Sequence, residues 1–136
     1  MMKCIVPALR YRDAGAAVEW LGSAFGFETR LLVPGQDGAI EHARLACGDT
    51  MIMLASLGRA GAVEATYRSP AEAGFITQSL YVHVDEPDAL CQRAKAAGAE
   101  IVEDIHDFPF GGRLFLCRDS EGHVWAFGSH DPRHTD

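Results

Sequence analysis

Ser79, Tyr81 and His83 alternate with apolar residues in the run Ser79-Leu80-Tyr81-Val82-His83. On a strand that spacing sends all three side chains to one face. A hydroxyl, a phenol and an imidazole on one surface could orient an oxygen, stack on a ring or move a proton near neutral pH. Tyr81 and His83 are the candidate acid–base pair. Ser79 with His83 has no evident third member, so the sequence does not support a nucleophilic triad. Arg113 follows the stretch Phe108-Pro109-Phe110-Gly111-Gly112. Its guanidinium could grip a ligand carboxylate through two parallel N–H bonds, or pair with an acidic residue where two parts of the chain meet. Arg10, Arg44 and Arg118 are weaker candidates, because strand arginines on a solvated face need no special role.

Metal-capable residues come as neighbouring pairs: Glu41 with His42, His83 with Asp85, His106 with Asp107, and Glu121 with His123. Adjacent strand residues face opposite sides, so Glu41 and His42 cannot serve one ion. Asp85 is expected to cap a helix, and His123 to hydrogen-bond within a turn. The four cysteines, Cys4, Cys47, Cys91 and Cys117, lack the close paired spacing of a zinc ribbon or a thioredoxin-like motif. They are expected to be reduced filler. Neither a phosphate-binding glycine loop nor a nucleophile elbow occurs.

Two segments must position these groups, and they repeat a layout. The first is a strand over Cys4 to Leu9, a helix from Asp13 to Phe25, and a strand over Phe27 to Val33. The second is a strand over Ser79 to Val84, a helix over Pro87 to Ala97, and a strand over Glu100 to Ile105. Asp13 and Asp85 are suited to cap the helix starts, where first-turn N–H groups lack partners. Gly26 and Gly98 suit the left-handed turn that ends a helix. Ala17, Val18, Leu21 and Phe25 form one apolar stripe; Leu90, Ala94 and Ala97 form the other. Two further strands follow each unit: Ile40 to Cys47 and Met51 to Ala55, then Arg113 to Arg118 and His123 to Phe127. Gly48-Asp49 and Glu121-Gly122 mark the hairpin turns. The pattern is βαβββ twice, with module 1 at about 4–55, a linker at about 56–75 and module 2 at about 76–130 of a single domain. The linker's length suggests mobility or a lid.

With 136 residues, 48% hydrophobic and 23% charged, the chain has the composition of an ordinary globular domain. A net charge of −7 repels nucleic acid and anionic membranes. The arginines and lysines are scattered rather than clustered. No apolar run approaches transmembrane length and no secretory apolar region opens the chain, so a cytoplasmic location is expected.

The closing hairpin, Asp119-Ser120-Glu121-Gly122-His123-Val124-Trp125-Ala126-Phe127, together with the duplicated βαβββ plan, resembles the vicinal oxygen chelate superfamily of glyoxalases, bleomycin-resistance proteins and dioxygenases. Within it the chain looks most like the bleomycin-resistance and PhnB-like proteins. The resemblance covers Cys4 to about Gly128. It implies an α+β fold in which the two modules form a curved, cup-like mixed sheet with helices outside, and it implies a homodimer. Metal-dependent members take one ligand from each first strand and one from each last strand. By position these fall at Val6, Met53, Ser79 and Ala126, none of which is a usual donor for a divalent metal. No cofactor is expected, and a rearranged metal site stays open as an alternative.

Strand parity from those positions predicts the cup lining: Val6, Ala8, Met51, Met53, Ser79, Tyr81, His83, Val124 and Ala126, with Arg113 at a second contact region. Trp125 and Phe127 then point to the helices. This lining is apolar with a few polar groups, as small-molecule pockets usually are. The leading expectation is a metal-independent small-molecule-binding protein resembling the bleomycin-resistance proteins. The alternatives are a lyase, isomerase or dioxygenase with a rearranged site, and a dimeric accessory protein without a ligand.

Overall fold

The computed structural model describes residues 1–134. The elements run β1 (Ala8–Tyr11), α1 (Ala14–Phe25), β2 (Glu28–Pro34), β3 (Ile40–Cys47), β4 (Thr50–Ser56), α2 (Pro70–Ala73), β5 (Leu80–His83), α3 (Pro87–Ala96), β6 (Glu100–Asp107), β7 (Arg113–Arg118) and β8 (Val124–Gly128). They build two four-stranded mixed sheets, ordered β1-β4-β3-β2 and β5-β8-β7-β6. In each sheet the first strand lies parallel to the last and the other neighbours are antiparallel. The sheets are not closed into a barrel. Among the described residues no helix is long and apolar enough to cross a membrane.

The helix ends follow from local chemistry, with one correction. Asp13 accepts a hydrogen bond from the Ala16 N–H at 3.0 Å, and Gly26 ends α1 with φ of +78°. Asp85 is not the cap of α3. Glu86 occupies that place without a side-chain bond, and Pro87 is the first helical residue. Proline supplies a helical φ and has no N–H to satisfy, so this start needs less capping than an ordinary one. Gly98 follows α3 with φ of +89°.

Two further expectations shift. The first strand begins at Ala8 rather than Cys4, where its pairing with β4 starts. The parallel register with β4 starts at Ala8 opposite Met53, and Pro7 contributes a carbonyl to the Met53 N–H at 2.9 Å. The segment between the halves is also more structured than its composition suggested. It holds a 3₁₀ turn at Glu64–Thr66 and the short helix α2, capped by the buried Ser69 through the Glu72 N–H at 3.1 Å.

One core serves both sheets. Leu9 and Tyr11 of β1, Ile52 and Leu54 of β4, and the inner face of α1 meet Phe115, Trp125 and Phe127. Phe25, at the end of α1, sits 4.6 Å from Phe127 and 5.6 Å from Trp125 between ring centres. Alternation along β8 therefore directs Trp125 and Phe127 to the helix side. The helices also tie the halves together. Trp20 Nε1 donates to the Ala97 carbonyl at 2.9 Å, and Arg93 donates to the Ser23 and Gly22 carbonyls at 2.8 and 3.1 Å.

Candidate binding seam

β1 and β5 are edge strands of their respective sheets, and residues from both line a cavity of about 120 Å³. Its walls combine Ala8 and Arg10 with Ser79, Leu80, His123 and Val124, while Tyr67 and Arg68 of the intervening segment close one side. A larger cavity of about 440 Å³ shares Pro7 and Leu80 with it. That one takes Met51 from β4, Tyr81 and His83 from β5, and Asp131 and Arg133 from the C-terminal segment. The seam thus has a small inner chamber and a larger open one. Both draw side chains from each half of the chain.

The predicted cup residues divide between them. Ala8, Ser79 and Val124 line the small chamber, and Met51, Tyr81 and His83 line the large one. Val6, Met53 and Ala126 line neither. Val6 precedes β1 and falls outside the ladder that parity assumed. Met53 sits in mid-sheet between Ala8 and Arg44, and Ala126 between Tyr81 and Leu116 with 8% of its surface exposed. Arg113 is also absent from both chambers. It forks onto Asp88 at 3.0 and 3.1 Å and reaches Asp107 at 2.9 Å, so it pairs with acidic residues within the second half of the chain rather than where the two halves meet. Those bonds hold Asp88 below the ordinary carboxylate range and raise Arg113 further.

The polar groups of the large chamber are constrained. Tyr81 Oη donates to the His130 carbonyl at 2.5 Å. Burial, aided by nearby Asp131, pushes its phenol above the usual value, so it remains a hydrogen-bond donor. His83 Nδ1 lies 3.8 Å from Asp131 Oδ2. Asp131 is held well below the ordinary carboxylate range, first by hydrogen bonds from the Arg133 side chain and then by its backbone N–H. This arrangement can orient a ligand. The bonded phenol is a poor base.

The sequence pattern of the Glyoxalase/Bleomycin resistance protein/Dioxygenase superfamily matches residues 5–127. The chain belongs to this superfamily. An uncharacterized protein of Mycobacterium tuberculosis is 32% identical over 124 residues, covering 90% of this chain and 71% of the relative. Among solved structures, TioX from Micromonospora sp. ML1 is 35% identical with a TM-score of 0.75, covering 96% of this chain and 100% of TioX. A lactoylglutathione lyase from Agrobacterium tumefaciens is 27% identical with a TM-score of 0.64, covering 93% of each chain.

A glyoxalase-type metal does not fit the residues at this chain's four matching positions. Valine and alanine at 6 and 126 have no donor atom, Met53 offers a soft thioether, and Ser79 a neutral hydroxyl. Among the described residues no group of three or more His, Cys, Asp or Glu side chains is placed to hold an ion. The other histidine–carboxylate pairs are engaged elsewhere. Arg44 Nε donates to His42 Nε2 at 3.0 Å, while Glu41 pairs with Arg59. His106 Nδ1 contacts the Asp104 carbonyl at 2.8 Å. Glu121 accepts the Arg12 and Asp13 N–H groups at 2.6 and 2.8 Å, bracing the start of α1.

Sequence reasoning named Arg10 only as a weaker candidate and His123 only as a turn residue, and missed Tyr67, Arg68 and Gln78 in the small chamber and Asp131 and Arg133 in the large one. His123 bonds within its turn as expected, through its backbone to Asp119; its ring goes further, with Nε2 at 3.0 Å from the Arg10 carbonyl and the ring centre 4.7 Å from that of Tyr11. No periodic signal marks such residues, because they come from a turn, a connecting segment and a tail. The one available hint was the run of linker charges, Arg59, Glu64 and Arg68.

Proposed function

We propose that this chain is a metal-independent small-molecule-binding protein of the bleomycin-resistance-like kind, taking its ligand in the seam between β1 and β5. The observation that carries the reading is the make-up of the seam. Apolar walls from Pro7, Met51, Leu80, Val82 and Trp125 surround a few fixed polar groups, while the positions that would supply metal donors hold Val6, Met53, Ser79 and Ala126. The two methionines were expected to soften one wall, and Met51 lies in position to do so. The seam also speaks against a purely accessory role, which needs no cavity.

The reading includes a homodimer in the cytoplasm. Every residue of β2 is exposed, and Leu31, Leu32 and Val33 leave an apolar edge unpaired on one side, the kind of edge that proteins usually cover. Light scattering that gives a monomer at micromolar concentration would remove that part.

An enzymatic reading has one observation in its favour: Tyr81 and His83 share the large chamber. The bond from Tyr81 to His130 and the raised phenol make the pair better suited to holding a ligand than to proton abstraction. The deciding experiment is native mass spectrometry of untreated protein together with metal analysis. A co-purified small molecule without stoichiometric metal supports the proposal. Stoichiometric metal released by changing seam residues sinks it.

A further inference from the structure

The segment after β4 is held to the sheets in an unusual way. Leu57 N–H bonds to the Tyr11 carbonyl at 2.8 Å, and Ser69 caps α2. Between residues 58 and 68, among the described residues, no backbone group bonds to either sheet; the backbone bonds there are internal, such as Ala65 N–H to Gly61 and Tyr67 N–H to Glu64. Side chains alone hold it down.

Those side chains form one chain of alternating charge. Glu64 accepts from Arg10 Nε and Nη2 at 3.3 and 3.1 Å, and from Arg59 Nη2 at 3.0 Å. Arg59 reaches on to Glu41 of β3 at 2.6 Å. The Arg10 guanidinium also lies 4.4 Å from the centre of the Tyr67 ring. Glu64 thus ties the segment to β1 through Arg10, and braces Arg59 of the same segment, which makes its own tie to Glu41 of β3.

Tyr67 and Arg68 are the wall shared by the small seam chamber and an open cleft of about 500 Å³ on the segment's other side. Moving that wall would merge the two spaces. Gly58 and Gly61, at φ of +84° and +125°, provide hinge points just ahead of it.

We propose that residues 58–68 form a gate to the seam, held shut by two ties, Glu64 to Arg10 of β1 and Arg59 to Glu41 of β3, with the Glu64–Arg59 pair bracing them from within the segment. The proposal rests on the seam being the binding site, and assigns the linker the task of controlling access to it. Sequence length alone hinted at a lid; the geometry supplies its latch and its hinges.

Hydrogen exchange tests the gate without a ligand. In Glu64→Gln, which keeps shape and removes charge, the bonded amides of the segment's turn, Ala65, Thr66 and Tyr67, should exchange on the order of tenfold faster or more while α1 is unchanged. Trypsin should also cut sooner after Arg59 and Arg68. Unchanged exchange in this segment overturns the gate. If Glu64→Gln loosens the whole chain, Glu41→Gln decides: it removes the charged half of the Arg59 tie, leaving the Arg59 bond to the residue 41 carbonyl at 3.1 Å, and should speed exchange of the same amides by a smaller factor. No rise there overturns the gate as well. The apolar dye anilinonaphthalene sulfonate separates the two ideas. Faster dye association in Glu64→Gln supports both. Accelerated exchange with no dye binding to either protein supports the gate and counts against the seam as a binding site.

Discussion

Tyr11 Oη donates to Asp119 Oδ2 at 2.5 Å across 108 positions of sequence. The same carboxylate oxygen accepts Trp125 Nε1 at 3.0 Å, and the other accepts the Glu121 and His123 N–H groups at 3.0 and 3.1 Å. A single buried side chain thus shapes the β7–β8 turn and fastens β1 to it. Burial, then the Asp119 charge, push the Tyr11 phenol well above its usual value, so it stays a donor. Tyr11→Phe is expected to lose about 1.5–3 kcal/mol, the range for a hydrogen bond to a charged group. Asp119→Ala should lose more, because it orphans a buried hydroxyl and an indole N–H. Urea unfolding at constant m-value measures both. Equal midpoints for Tyr11→Phe and wild type would refute the fastening role.

The thiols separate by environment. Cys91 and Cys117 are fully buried and Cys4 is exposed. Burial pushes Cys47 and Cys117 up to about 12, which leaves almost no thiolate at neutral pH. Iodoacetamide at pH 8 should label Cys4 first and leave Cys91 and Cys117 unmodified until the protein unfolds. Peptide mass spectrometry reads the order directly. Early labelling of Cys117 would show that the core around Trp125 opens under native conditions.

Repetition made the fold legible. The Asp13 cap, the glycines after each helix and the turn at Asp119 are local signals, and each lies where its chemistry is needed. The seam was harder to read. Parity assigns a face along a strand but not where the strand begins, so Val6 was placed on a ladder that starts at Ala8. Parity also does not say which positions of a face a cavity reaches: Met53, half-buried, and Ala126, buried, lie in mid-sheet away from both chambers. Arg10 was dismissed because an arginine on a strand usually faces water. Its partner Glu64 lies 54 positions away, and nothing short of the folded chain joins them.

Gly128 supports the large chamber through a close approach. A Cβ built there would stand 2.5 Å from Tyr81 Oη and 3.1 Å from Leu114 Cβ. Gly128→Ala should therefore swing the Tyr81 ring away and break its bond to His130, at an overpacking cost of about 1–3 kcal/mol. The tail carrying Asp131 and Arg133 should then exchange faster. Tyr81→Phe, which deletes the bond without crowding, should loosen the same tail with a smaller change in overall stability. If tail exchange stays at the wild-type rate in both variants, Tyr81 does not anchor that wall.

Glu64 sets the pH behaviour of the gate. Hydrogen bonds from Arg10, the main cause, with the nearby Arg59 charge hold its carboxyl below the usual value of 4.5. A carboxylate with a depressed folded pKa stabilises the closed form fully above its unfolded value. That contribution is lost as pH falls through the folded one. Glu41 meets only the outer side of Arg59. Exchange of the bonded amides Ala65, Thr66 and Tyr67, corrected for the intrinsic rate, should be flat from pH 7 to pH 5 and accelerate below the ordinary carboxylate range. Glu64→Gln should be fast at every pH and lose the step. An acid step that survives the substitution would assign the latch to Glu41 or to general acid unfolding, and measuring α1 alongside distinguishes those two.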